Sequence, residues 1–333
     1  MSTTDAAPPL STPLVVGVDL GGTKMAAALV TADGALAGPL ASVPTPARSG
    51  PEAVLDAIAS VVDTVVSAGT HQAHGAPVAV SAVGVGSAGV VNVSTGTIVS
   101  ATDAITGWTG TLVATGVRSR LIAQGYGDMP VHVENDVDAY AGGEAWLGAG
   151  RDAGSVLVVA VGTGVGGSVV INGTTVRGAH YVAGEIGHVP APGAENEMCT
   201  CGRRGHLEAI AAGPQIHRRY LAAGGDPEVA NAFEVEQRAD AGDPIASLVY
   251  RDSAIALGKV LAGVVAVLDP ERVVLSGGLA RAGELWWAPL RETFRAELID
   301  PLADVPLVRA ELGTNAPIIG AARGALRLLG AAA

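Results

Sequence analysis

Cysteine is scarce: two occur in 333 residues, Cys199 and Cys201, one residue apart. So close a pair builds no disulfide scaffold, and a chain this long buries enough core without one. Aromatic residues make up only 3% of the chain, against 49% hydrophobic, so the core has to be assembled from Val, Ala, Leu and Ile. Positive charge is short too: 20 Lys and Arg face 32 Asp and Glu, a net charge of -12. Such a surface repels polyanions, which argues against nucleic acid as a partner. Residues 1–13 have neither the basic cluster nor the apolar run of a signal peptide and read as a disordered lead-in. Residues 75–102 carry no charge and are long enough to cross a bilayer as a helix. Their Gly, Ser, Thr and Val, with Pro77 and Asn92, read instead as buried strands between turns, so no membrane is expected. Two reduced thiols and no leader place the chain in the cytoplasm.

Glycine, by contrast, is abundant. Its 46 residues are roughly double the ~7% of average usage, which calls for many tight turns or close approaches of backbone to ligand. The length predicts about two domains at ~150 residues each. Residues 14–18 read as a buried strand, Asp19-Leu-Gly-Gly-Thr-Lys24 as a turn, 25–30 as a second strand and Asp33-Gly34 as a hairpin turn. A helix is expected over 51–68, with Pro51 at its first position, Gly69 as its stop, and Val54, Ile58, Val61, Val62 and Val65 on one face. A strand is expected over 78–85. The pattern then recurs: strand 155–161, glycine turn 162–167, strand 168–171 and the hairpin signal Asn172-Gly173. A long helix over 245–268, closed by Asp269-Pro270, leads to strand 273–276 and the glycines Gly277 and Gly278. A closing helix over 315–329 starts at Asn315. This recurrence predicts a duplication: two related α/β domains around a cleft, where ligands usually sit.

Gly162-Thr-Gly-Val-Gly-Gly167 also matches the dinucleotide fingerprint G-x-G-x-x-G. That fingerprint needs a helix after it. Ser168-Val-Val-Ile-Asn-Gly173 is a strand and turn, so a nicotinamide enzyme is rejected. A glycine turn between strands still turns successive N–H groups into one concavity and holds an anion. Gly21, Gly22, Thr23 and Lys24 in the first turn, Gly162, Thr163 and Gly164 in the second, and Gly277 and Gly278 in a third are therefore expected to hold nucleotide phosphates. Asp19 beside the first turn would repel phosphate unless a cation intervenes, which implies Mg²⁺ held through water.

Val131-His-Val-Glu-Asn-Asp136 runs from a strand into a helix expected over 137–147. Asp136 there is placed either to take a proton from a substrate hydroxyl or simply to cap the helix, and spacing alone leaves both readings open. Asn135 offers both donor and acceptor to hydroxyls. His188, Cys199, Cys201 and His206 form a separate donor cluster suited to a closed, structural tetrahedral Zn²⁺ site.

Asp19-Leu-Gly-Gly-Thr-Lys24, Glu134-Asn-Asp136, Gly184-Glu-Ile-Gly-His188 and Cys199-Thr-Cys-Gly-Arg-Arg-Gly-His-Leu-Glu208 occur in that order. Together they closely resemble the ROK family of repressors, open reading frames and sugar kinases, over roughly residues 14–329. The resemblance implies an actin-like ATPase fold of hexokinase type. It places an N-terminal α/β domain at 14–139, with the closing helix 315–330 packing back on it, and a C-terminal α/β domain at 140–314 carrying a zinc loop at 188–206. It implies Asp136 as catalytic base and Gly89, Asn135, Glu185, His188 and Glu208 as sugar contacts. It also implies ATP as phosphoryl donor, transfer to a sugar 6-hydroxyl, and a homodimer or homotetramer. The chain departs from the family in three places. His206 stands where a third Cys is usual. The turn Ser87-Ala-Gly89 lacks a frequent proline. Ala104 occupies a usual Asn position four residues before Trp108, with Asp103 as a substitute contact. These departures rank N-acetylglucosamine ahead of glucose, with N-acetylmannosamine behind. A repressor is set aside because only 13 residues precede the first strand. A non-catalytic sugar sensor is the remaining alternative.

Overall fold

The computed structural model describes residues 13–72 and 78–330. The expected lead-in therefore lies outside the described residues except for Pro13. The chain divides into two compact units, residues 1–140 with 317–333, and residues 141–316.

The first unit opens with β1 (Leu14–Leu20), β2 (Lys24–Val30) and β3 (Ala41–Pro44), followed by α1 (Pro51–Gln72), β4 (Val80–Ser87), β5 (Val90–Asn92), β6 (Thr97–Ser100), α2 (Val113–Ala123) and β7 (Val131–Asn135). Then α3 (Asp136–Leu147) carries the chain across the unit boundary. Five strands form a sheet in the order β3-β2-β1-β4-β7. The pairs β1–β2 and β2–β3 are antiparallel; β1–β4 and β4–β7 are parallel. The core is aliphatic, as the composition requires. Val54, Ile58, Val61, Val62 and Val65 of α1 are at most 1% exposed and pack with strand residues such as Val16, Val18 and Val83. By length and composition α1 is apolar enough to span a membrane, but that apolar face is spent on this core.

The helix does not stop at Gly69; it continues to Gln72. A Cβ on Gly69 would fall 2.5 Å from Leu29 Cδ1. This glycine lets α1 approach β2 instead of ending the helix.

The second unit repeats the pattern. It contains β8 (Ser155–Val161), β9 (Val165–Ile171), β10 (Thr174–Thr175), α4 (Glu208–Ala211), α5 (Gly213–Ala222), α6 (Ala232–Asp240), α7 (Pro244–Leu268), β11 (Arg272–Ser276), α8 (Glu284–Glu297) and β12 (Leu307–Arg309). The closing helix α9 (Ala316–Leu328) belongs almost wholly to the first unit. The second sheet runs β10-β9-β8-β11-β12, with β8–β9 and β9–β10 antiparallel and β8–β11 and β11–β12 parallel. Strand for strand, this is the order and direction of the first sheet. At the β9–β10 turn, Asn172 and Gly173 both have positive φ (48° and 71°), as a two-residue hairpin of the primed type needs. Asp243 caps α7 by accepting from Ile245 N and Ala246 N, and the left-handed Asp269 ends it. Trp286 and Trp287 of α8 are buried, and their indole N–H groups donate to Ser253 Oγ and Ala280 O, both at 3.1 Å. Glu144 is fully buried. Its carboxylate accepts from the backbone N–H groups of Ala149, Glu311 and Leu312 at 2.8–3.1 Å, which satisfies the charge without a cation.

Candidate active site

In the first unit the acidic centre lies where β7 passes into α3. The cap of α3 is Asn135: its Oδ1 accepts from Val137 N at 2.9 Å and Asp138 N at 3.2 Å, and its Nδ2 donates to Gly89 O at 2.9 Å. The Asp136 carboxylate shares the Val137 N–H, at 2.9 Å. The cap thus falls to Asn135, and Asp136 keeps carboxylate lone pairs for other work. Burial, then the charge of Asp19, then Asp138, push the Asp136 carboxyl up to about 6, against backbone hydrogen bonds that lower it. Burial likewise raises Asp19 to about 6, and only Lys24 pulls it down. Two neighbouring carboxylates held at such values form an undercompensated negative site, which fits a divalent cation at Asp19.

The first glycine turn is closed by Gly21 N donating to Lys24 O at 3.1 Å and anchored by Thr45 Oγ1 on Gly21 O at 2.7 Å. Gly22 and Thr23 share a cavity of about 520 Å³ with Asp103, Ala104 and Arg48. A Cβ on Gly22 would sit 3.2 Å from Ala104 Cβ, so the residue at the usual Asn position packs against this turn. Asp103 is exposed at the cavity rim. Trp108, 1% exposed, pins its loop to the end of β4 by donating to Ser87 Oγ at 3.1 Å. Gly89, at φ 99°, accepts from Asn135 and so ties that turn to the acidic centre.

In the second unit Gly162 N donates to Gly164 O at 2.9 Å across the second turn. The turn after β11 lies against it. An ideal Cβ on Gly162 is 3.7 Å from Gly278 N, and one on Gly277 would be 2.3 Å from Val161 O at φ 88°. Only glycine fits at position 277. The structure thus brings together Gly162, Thr163, Gly277 and Gly278, which are 114 positions apart in sequence at their closest. Gly162, Thr163 and Gly278 line a cavity of about 700 Å³, whose other walls include His217, Phe233 and Tyr250. Sequence reasoning missed these walls. No sequence motif marks them.

Among the described residues, His188, Cys199, Cys201 and His206 bring one ligand atom each within 4.8 Å of one another. Cys199 Sγ is 3.7 Å from His188 Nδ1, and Cys201 Sγ is 3.3 Å from His206 Nδ1. The edges of a tetrahedron with Zn–S near 2.3 Å and Zn–N near 2.1 Å are roughly 3.3–3.8 Å, so these two pairs stand at tetrahedral spacing, and the wider separations, up to 4.8 Å, have to close by about 1 Å around an ion. His206, in the place of a third Cys, turns Nδ1 toward the cluster. Burial pushes the Cys199 thiol above its ordinary value, so metal entry has to displace a proton. His188 Nε2 lies 3.9 Å from Glu185 Oε2, a separation longer than a hydrogen bond. Burial also raises Glu185, with His188 opposing and Glu208 adding. Glu208 is engaged at both oxygens. Oε2 accepts from Val165 N at 3.0 Å, and Oε1 accepts from Thr200 Oγ1. It links the donor loop to the second glycine turn.

The model of the ROK family matches residues 15–327. A glucokinase of Streptomyces coelicolor is 34% identical, over 93% of this chain and 96% of that protein. An N-acetylmannosamine kinase of Escherichia fergusonii is 33% identical, over 92% and 96%. The crystal structure of a ROK hexokinase from Thermus thermophilus superposes with a TM-score of 0.82 at 34% identity, covering 95% of this chain and 99% of that one. The two five-stranded sheets of like order are those of the actin-like ATPase fold. The chain belongs to the ROK family.

Proposed function

We propose that the chain is an ATP-dependent sugar kinase that transfers the γ-phosphoryl group to the 6-hydroxyl of a hexose or N-acetylhexosamine. The observation that carries this reading is Asp136: relieved of capping by Asn135 and raised to about 6 by burial and Asp19, it is a carboxylate suited to accept a hydroxyl proton near neutral pH. The glycine turns at Gly162 and Gly278, beside a cavity of about 700 Å³, support phosphoryl transfer over other uses of such a base.

In this mechanism Asp136 orients the sugar hydroxyl and takes its proton as the new P–O bond forms. The turns at Gly21–Gly22 and Gly162–Gly164, with Lys24 and Thr163, would hold the phosphates, and so would the turn at Gly277 and Gly278. Asp19 would hold Mg²⁺ through water; when bound, that ion neutralises the charge on the phosphates. Asn135, Glu185, His188, Glu208, Gly89 and Asp103 would contact the sugar. Zinc on His188, Cys199, Cys201 and His206 would be structural, fixing the segment that bears His188 and Glu208. A reducing cytoplasm would keep both thiols available for it.

The relatives named glucokinase support glucose as acceptor, and those named N-acetylmannosamine kinase keep N-acetylmannosamine as a further candidate. N-acetylglucosamine is the second reading, favoured by Ala104, whose short side chain leaves room for a substituent that an Asn would meet. A coupled assay with each sugar separates the two. Higher kcat/KM for glucose supports the first reading, and higher kcat/KM for N-acetylglucosamine the second.

A further inference from the structure

We propose that Arg48, together with Asp103, grips the adjacent 3- and 4-hydroxyls of the acceptor sugar and selects such sugars over their 4-epimers. This rests on the sugar-kinase reading above and adds a specificity-determining residue to it.

Arg48 lies on the short segment between β3 and α1, and that segment is fastened on two sides. Thr45 N donates to Thr23 O at 2.9 Å and Thr45 Oγ1 to Gly21 O at 2.7 Å, which ties it to the first glycine turn. Thr106 N donates to Ala47 O at 2.9 Å, which ties it to the loop that bears Asp103. That loop is in turn set against the acidic centre. An ideal Cβ on Gly89 would lie 3.1 Å from Ala101 Cβ, and Gly89 O accepts from Asn135 Nδ2. Arg48 and Asp103 thus line one cavity of about 520 Å³, on a frame continuous with Asp136.

They are the two charged side chains of that cavity, and both are exposed. Among the described residues neither makes an ion pair or a side-chain hydrogen bond. Glu52 and Asp56, the carboxylates nearest to Arg48 along the chain, are taken by Arg120.

The chemistry of this pair names the ligand. A guanidinium only donates hydrogen bonds, and an ionised carboxylate only accepts them. A sugar hydroxyl does both, so two neighbouring hydroxyls can accept from Arg48 and donate to Asp103. The pair carries no net charge, and Asp103 would repel a phosphate, so a neutral polyol fits the cavity better than an anion. Glucose, N-acetylglucosamine and N-acetylmannosamine differ at C2. The adjacent hydroxyls common to all three are those on C3 and C4, both equatorial. In a 4-epimer the 4-hydroxyl is axial and turns away from a rigid guanidinium fork that fits the equatorial pair.

The test uses calorimetry and the coupled assay on the zinc-loaded full chain. The ligands are glucose, N-acetylglucosamine and N-acetylmannosamine, with the 3-deoxy, 4-deoxy and 4-epimeric analogues of whichever binds most tightly. Each analogue is expected to bind the wild type about tenfold or more weakly than its parent. Arg48→Ala should raise the sugar KM by about the same factor and leave the KM for ATP where it is. It should also narrow the gap between parent and deoxy analogues several-fold, because the hydroxyl and its partner are coupled. A purely structural role would weaken parent and analogues alike. Arg48→Ala protein that keeps the full gap, or wild type that binds the 4-epimer as well as its parent, overturns the grip. A raised KM for ATP with the sugar KM intact would mark Arg48 as a phosphate contact and overturn it too. A narrowed gap in sugar binding with no transfer to any sugar would uphold the grip and reject the kinase reading. Transfer indifferent to Arg48→Ala would uphold the kinase and reject the grip.

Discussion

At Asp136 and Asp19, burial raises both carboxyls to about 6, which suits the proposed base and carries a cost. Asp136→Asn removes the proton acceptor and should lower kcat about 10²–10⁴-fold, with sugar affinity by calorimetry within a few-fold of wild type. Near-normal turnover in that variant would reject Asp136 as the base. A base must be ionised to act, so the plot of kcat/KM against pH should bend downward below about 6, where Asp136 takes up its proton, and approach tenfold loss per pH unit. For stability the sign runs the other way. Asp19 has a folded value of about 6, above its ordinary 3.8. Its favourable contribution is complete below about 3.8 and is lost as pH rises through 6. Asp19→Asn should therefore stabilise the metal-free protein at pH 7.5, by at most about 3 kcal/mol for a shift of this size. That gain should vanish near pH 4. Thermal melts at the two pH values test it; equal gains at both would rule out ionisation of Asp19 as the cause.

At the scale of elements, local signals were legible where they act locally. The Asn172-Gly173 hairpin, the apolar face of α1 and the cap and stop of α7 are each set by a few adjacent residues. Gly69 looked like a helix stop because a stopping glycine and one that admits Leu29 are the same letter; only the sheet behind α1 separates them. The cap of α3 went to Asn135, because a cap needs a side chain reaching N–H groups two or three residues on, which Asp136 inside the helix cannot do. The α6 and Tyr250 wall of the cavity beside Thr163 was invisible in sequence because Thr163 and Tyr250 are 87 residues apart and no motif marks them. The donor loop was legible from residue types alone. Its prediction concerns metal: zinc should bind one per chain by elemental analysis, and Cys201→Ser should lose most of it. Chelation should lower the melting temperature and weaken sugar binding while ADP binding holds. Unchanged zinc content in Cys201→Ser would dismiss the four-donor site.

At the scale of the whole molecule, the same five-strand order occurs twice, each time with a glycine turn between the first two strands. That recurrence was readable because glycine and hairpin signals punctuate each half at matching places. The backbone is correspondingly intolerant at these turns. Gly277→Ala would force a side chain into φ 88° and onto Val161 O, so it should lower the melting temperature by several degrees and raise the KM for ATP more than that for sugar. What the chain does with its two halves is most directly measured by coupled ADP release. The assay uses zinc-loaded protein with Mg²⁺ and ATP, against glucose, N-acetylglucosamine and N-acetylmannosamine, with Asp136→Asn alongside. A sugar kinase gives ADP and sugar 6-phosphate in equal amounts with at least one of these sugars, and Asp136→Asn abolishes both. Sugar binding by calorimetry with no ADP release above the sugar-free rate, from any of the three, would contradict it and mark the protein as a sugar sensor.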